Sequence, residues 1–251
     1  MTQHKERLLE ADGAFRRELV ELDQLKAVEE SQRTLGLLEQ AVAEFKTKPH
    51  TPEVVTEYWR TRWSVLGSKV GLKIEVPDSP YHRDEIVDME HLQVPRAPIY
   101  MPSELTATPA GLILLGKMHP QMGSWVVKAG TPVKHTDSRG GWFDIESGWQ
   151  TPYTGTNRKD LEELAKQNHW KGQRLTAYII GSQNSKDLTG HYFDELGLDK
   201  AGWVRLLGSR RKGEVGGARF YSDGSLGVYW IWSLDTRYPY LGGRFEGVKK
   251  A

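Results

Sequence analysis

Apolar residues recur at Leu8, Phe15, Leu19, Leu22, Leu25, Val28, Leu35, Leu38, Val42 and Phe45, in a Pro-free stretch otherwise rich in Glu, Lys, Gln and Ala. Steps of three, four and seven predict an amphipathic helix over residues 3–47 with a single apolar stripe. Unbroken, such a helix spans ~65 Å, far beyond the usual three or four turns. Gly13 and Gly36 are the points where it would bend or split. The stripe has two readings. It seals onto another helix as a coiled coil, or it folds back as a hairpin near residues 31–36.

Lys48-Pro49 ends this element, and Thr51-Pro52-Glu53 starts another: a cap, a first-position proline and an acid at the positive end of the dipole. Val55, Tyr58, Trp59, Arg62, Trp63 and Leu66 then fill one broad face, whose aromatics are placed to cover the first stripe. Residues 1–70 therefore read as a helical arm or hairpin that favours self-association.

Patterning changes after residue 70. Leu72-Lys-Ile-Glu-Val76 alternates as a strand does, and prolines then mark residues 71–110 as a connector, with a short helix around 83–91. Short strands are expected at 112–115, 125–128 and 141–146. Thr156-Asn157 caps a helix to about residue 168, and 175–183 favours a second helix over a strand. Strands follow at 203–209, 218–222 and 225–232, with Asp223-Gly224 as a hairpin turn. The fold class is α+β: helical arm, connector, then a mixed domain over 111–251 built on antiparallel sheet.

Composition narrows this. Hydrophobic residues, 38% of 251, suffice for a sizeable core, and 27% charged residues argue against wholesale disorder. Cysteine is absent, which excludes disulfides, thiolate metal sites and a cysteine nucleophile. The start has no apolar signal region and no apolar run is long enough for a bilayer, so a cytoplasmic protein without a membrane partner is expected. Charge is uneven: residues 151–251 hold 16 Lys/Arg against 11 Asp/Glu, which favours anionic partners there.

Phosphate-loop, dinucleotide, zincin, esterase and EF-hand signatures are absent, and no cofactor is implied. Four clusters carry chemistry. Asp84, Asp88 and His91 would share a helical face as metal ligands, or simply form an acidic surface turn. Asp144 and Glu146 fall on one face of a strand with Trp142, an arrangement for an acid and a base in a hydrolase. His191, with Asp194 and Glu195, is the candidate base completing that enzyme reading. The fourth is the C-terminal set Arg205, Arg210, Arg211, Arg219 and Arg244, interleaved with glycines and with Phe220, Tyr221, Tyr229, Trp230 and Trp232. Guanidinium groups grip phosphate or carboxylate, and aromatics stack on bases or sugars. Arg244 has a structural alternative, a clamp to Glu246 or Asp235.

Six pieces resemble an uncharacterised family of proteins from small-genome, candidate-phylum bacteria: Gly141-Trp-Phe-Asp-Ile-Glu146, Gly172-Gln-Arg-Leu175, Thr189-Gly-His-Tyr-Phe-Asp-Glu195, Arg205-Leu-Leu-Gly-Ser-Arg-Arg211, Ser222-Asp-Gly224 and Leu241-Gly-Gly-Arg-Phe-Glu-Gly-Val248. The resemblance covers about residues 140–251. It implies a bacterial, cytoplasmic protein and transfers no site. The leading functional expectation is a non-catalytic binding module in which Arg205, Arg210, Arg211, Arg219, Arg244 and Trp230 hold an anionic partner such as nucleic acid. The alternatives are the Asp144/Glu146/His191 hydrolase, and a scaffold or homo-oligomer assembled through residues 1–68.

Overall fold

The computed structural model describes residues 2–128, 132–231 and 235–248. The chain opens with α1 (Thr2–Thr47), a continuous helix with no break at residues 31–36. The turn comes instead at Lys48-Pro49, and α2 (Pro52–Ser68) folds back against the end of α1. The expected start signal operates: Thr51 Oγ1 accepts from Val54 N, and Pro52 occupies the first turn.

Among the described side chains of α1, those of the last turns are the ones seated. Leu38 is buried, and Ala41, Val42 and Phe45 pack on the core, with Phe45 and Tyr58 rings 4.3 Å apart. Upstream, Leu22, Leu25 and Val28 are 49%, 63% and 54% exposed. Each three-residue step turns ~60° about a helix axis. These side chains therefore walk round the rod and do not share the single stripe expected from their spacing. The side chains of Leu8, Phe15 and Leu19, and Trp232, lie outside the described residues.

Trp59 and Trp63 of α2 are buried. Their indole N–H groups donate to the carbonyls of Pro98 and Tyr100, at 3.2 and 2.9 Å. Both acceptors belong to β1 (Arg96–Met101), so α2 docks along the edge of the first sheet. That sheet runs β1-β3-β9-β4, with β3 (Gly141–Glu146), β4 (Lys171–Gly172) and β9 (Phe245–Val248), all neighbours antiparallel. The second sheet runs β2-β5-β6-β7, with β2 (Lys134–His135), β5 (Trp203–Arg211), β6 (Glu214–Phe220) and β7 (Leu226–Ile231). A short β8 (Leu241–Gly243) adds in parallel to the start of β5.

Helix α7 (Leu175–Thr189) touches β1 and β5 and is buried continuously from Leu175 to Gln183. One large apolar cluster runs from Val55 on α2 through α7 to Val228 on β7. Helix α3 (Arg83–Glu90) matches its sequence reading, as does α6 (Arg158–Gln167), where Asn157 and Asp160 form a reciprocal cap.

Three expected strands are absent. Residues 112–115 lie in α4 (Ala110–Met118), which buries Leu112, Leu115 and Met118 at helical steps of three. Residues 125–128 form a single turn, α5 (Trp125–Lys128). Short apolar runs carry too little periodicity to separate helix from strand, and Leu and Met favour helix. Residues 72–76 are extended but make no ladder. Their carbonyls go to side chains: Tyr100 Oη donates to Glu75 O and Arg60 Nε to Val76 O. Among the described residues, no helix is long and apolar enough to cross a membrane.

Candidate functional site

The predicted arginines divide between interior and surface. Arg244, on the segment between β8 and β9, is fully buried. Its Nε and Nη2 donate to the two carboxylate oxygens of Asp194 at 2.9 and 3.1 Å. Nη2 also donates to the carbonyls of Gly148 and Gln150, and the group lies 4.2 Å over the Phe193 ring. Burial works against the charge, but Asp194 together with Tyr178 and Glu146 holds the guanidinium above its ordinary pKa. The clamp anticipated for Arg244 exists, but its partner is Asp194 and neither Glu246 nor Asp235. Arg205 is also fully buried and donates to the carbonyls of Thr156 and Thr236, at 2.7 and 2.6 Å. Burial lowers its pKa. Both residues tie loops to the sheet and are closed to an outside partner.

The other three do not share one recess. Arg211 lies 5.0 Å over the Trp125 ring. Arg210 sits in register with Lys134 at the far end of β5. Arg219 lies beside Trp203 at the other end, ~20 Å away at the rise of a strand. Trp230 is opposite Gly216 on the face turned to the core, not on the face of Arg219.

What the fold does assemble is the outer face of the second sheet. Register places Val204 opposite Ala218 and Ala218 opposite Val228. Alternation then puts Trp203, Arg219, Gly227 and Tyr229 together on the other side. The Arg219 guanidinium lies 4.4 Å from the Trp203 ring and 4.9 Å from Tyr221, and Nη2 donates to Tyr221 Oη at 3.2 Å. Trp203 meets Tyr229 edge-on at 4.8 Å. Tyr229 is 61% exposed, the most of any aromatic residue described. Gly227 keeps this face flat, since a Cβ there would stand 3.1 Å from Tyr221 and 3.3 Å from Trp203. Arg219 has no carboxylate partner among the described residues, so its charge is available. Tyr238 and Tyr240 stack 5.4 Å apart, and the Tyr240 carbonyl accepts from Trp203 N, which extends the aromatic surface. Trp203 was missed as a site residue in the sequence. Its signal, an aromatic in phase with Arg205, needed the strand register to become visible.

The carboxylates behave differently. Asp144 and Glu146 do lie on one face of β3, but both are taken by Arg96: Nε to Asp144 Oδ2 at 2.5 Å and Nη1 to Glu146 Oε1 at 2.8 Å. Glu146 also accepts from Phe245 N at 2.8 Å. Burial pushes its pKa up, with Arg96 and Arg244 opposing. His191 stands elsewhere, beyond the end of α7, with its ring 5.8 Å from Trp149 and Nδ1 4.0 Å from Glu195 Oε2. Asp144 edges a shallow opening shared with Tyr81 and Trp170, and His191 takes no part in it. The acid–base trio is not gathered round one cleft. Nor do Asp84, Asp88 and His91 converge: His91 Nδ1 bonds the Val87 carbonyl, and the described residues contain no group of three metal-ligating side chains.

No family model matches the chain, and searches of curated proteins and of solved structures yield no match either. The resemblance of residues 140–251 rests on its motifs alone.

Proposed function

We propose a non-catalytic binding protein whose outer sheet face, Trp203, Arg219, Tyr221 and Tyr229, takes an anionic partner that also offers flat rings. Single-stranded nucleic acid has both properties. The observation that carries this reading is Arg219, a cation without an acid, seated between two aromatic rings beside an exposed tyrosine. Stacking supplies sequence-tolerant affinity and the cation favours the phosphate backbone. The surplus of basic residues over 151–251 supports the same sign of partner. The test is fluorescence anisotropy with a labelled mixed-sequence single strand, titrated at several salt concentrations. Binding should weaken with salt and be reduced by Arg219→Ala and by Tyr229→Ala. Salt-insensitive binding, or none to any polyanion, overturns the reading.

A second reading is favoured by α1. Val20, Leu22, Leu25, Val28, Leu35 and Leu37 are all about half exposed on one helix. Spread round the rod, they give successive stretches of the helix different apolar faces, and a second copy of the chain is the proposed occupant. Light scattering should give a dimer or higher species that reverts to monomer when residues 1–36 are removed. A strict monomer at all concentrations rejects it.

A further inference from the structure

A cavity of about 200 Å³ lies where the end of α1, α2, α3, β1 and α7 meet. Its lining is mainly apolar, with Val55, Trp59, Ile86, Ile99, Ile145 and Phe193 among the residues around it. All six are at most 1% exposed, so the walls are fixed by the core itself. An apolar cavity of ~150 Å³ is already large enough to take up benzene.

The polar groups around the cavity are mostly spent. The Arg96 guanidinium is engaged by Asp144 and Glu146. Ser185 Oγ donates to the His191 carbonyl, and Thr189 Oγ1 to that of Ser185. At one side His50 Nδ1 is joined to Glu90, which ties the α1–α2 turn to the end of α3. No cation is left over to balance a buried anion, and Glu90 would repel one. The Ser147 hydroxyl and Asn184 are the exceptions. Tyr58 Oη donates to Asn184 Oδ1 at 2.6 Å, which fixes the amide, and Asn184 Nδ2 has no acceptor among the described residues.

We propose that this cavity is a binding site for a small, uncharged, ring-sized molecule carrying one hydrogen-bond acceptor, held by apolar contact and oriented by the Asn184 amide. An ionised ligand would lose its hydration without a counter-charge. A neutral acceptor can take up the amide N–H of Asn184, which no acceptor among the described residues holds. The site is separate from the outer sheet face, which lies on β5, β6 and β7.

The test uses the full chain and three probes: benzene, phenol and benzoate, read by ligand-observed NMR and calorimetry. Phenol and benzene should bind and raise the unfolding temperature, and benzoate should not. Ala97, a half-buried cavity residue on β1, gives a filling variant, since Ala97→Leu puts bulk into the space without removing core atoms. It should abolish binding of both neutral probes. If Ala97→Leu does not fold, Ser147→Leu fills the same cavity. Asn184→Leu should weaken phenol by about five- to tenfold while leaving benzene unchanged. Failure of both neutral probes to bind the folded chain overturns the proposal. So does binding that survives a folded filling variant, or equal uptake of benzoate.

Discussion

Replacing Arg244 with Met separates a structural arginine from a ligand-gripping one. The side chain is fully buried, and Asp194, its partner across 50 residues of sequence, is buried as well. Met keeps much of the volume and removes every donor. Asp194 then keeps Thr151 Oγ1 as a donor but loses its counter-charge, and the carbonyls of Gly148 and Gln150 lose theirs. Breaking a buried pair from one side costs about 3–5 kcal/mol, a large part of the ~5–15 kcal/mol that holds a domain together. Urea unfolding followed by tryptophan fluorescence should show that loss as a lower midpoint. Asp194→Asn in the same chain removes the stranded charge, so the double variant should recover about 1–3 kcal/mol of the summed single losses. Arg244→Lys should rescue little, because one ammonium lacks the planar fork that meets both carboxylate oxygens. A single-variant loss below about 1 kcal/mol, or no coupling in the cycle, would refute the assignment.

Three further outcomes follow from the same structure. Burial, then the cations Arg62 and Lys69, push the pKa of His119 from 6.5 down to about 3. The unfolded chain therefore binds the extra proton first: the contribution is whole above about pH 6.5 and drains at ~1.4 kcal/mol per pH unit as pH falls towards the folded value. His119→Gln should flatten that acid limb in urea titrations, and an unchanged slope would contradict it. Gly242 has no room for a side chain, since a Cβ would stand 1.9 Å from the Pro152 carbonyl oxygen. Gly242→Ala should cost about 1–3 kcal/mol or more in the same unfolding assay. Tyr229→Ala should leave stability nearly untouched yet weaken single-strand binding by about 1–3 kcal/mol in anisotropy titrations.

Local chemistry made several elements legible. Thr51-Pro52 gave the start of α2, Asn157 that of α6, and Asp223-Gly224 the β6–β7 turn, where Gly224 has φ of 84° and Tyr221 N bonds Ser225 O. Each signal acts over four residues or fewer, so a sequence can display it. The apolar runs that became α4 and α5 were misread because four residues are too few to separate a helical from a strand period. The α1 residues satisfied a spacing rule pairwise while failing it cumulatively, as successive steps of three rotate off any one face. The candidate face was half visible. Alternation set Tyr229 against Trp230, but bringing Trp203 to Arg219 required the register of two strands. The pairing of Arg244 with Asp194 had no local mark at all, because it depends on where β9 inserts.

Strand β9 occupies an inner position of the first sheet, between β3 and β4, and it is supplied by residues 245–248. Until that tetrapeptide is in place, β3 and β4 each present a raw inner edge, Arg174 lacks Glu246 and Glu146 lacks the Phe245 amide. This layer therefore closes only after residues far apart in the chain have met, and its open edges are a liability for pairing with other chains in the meantime.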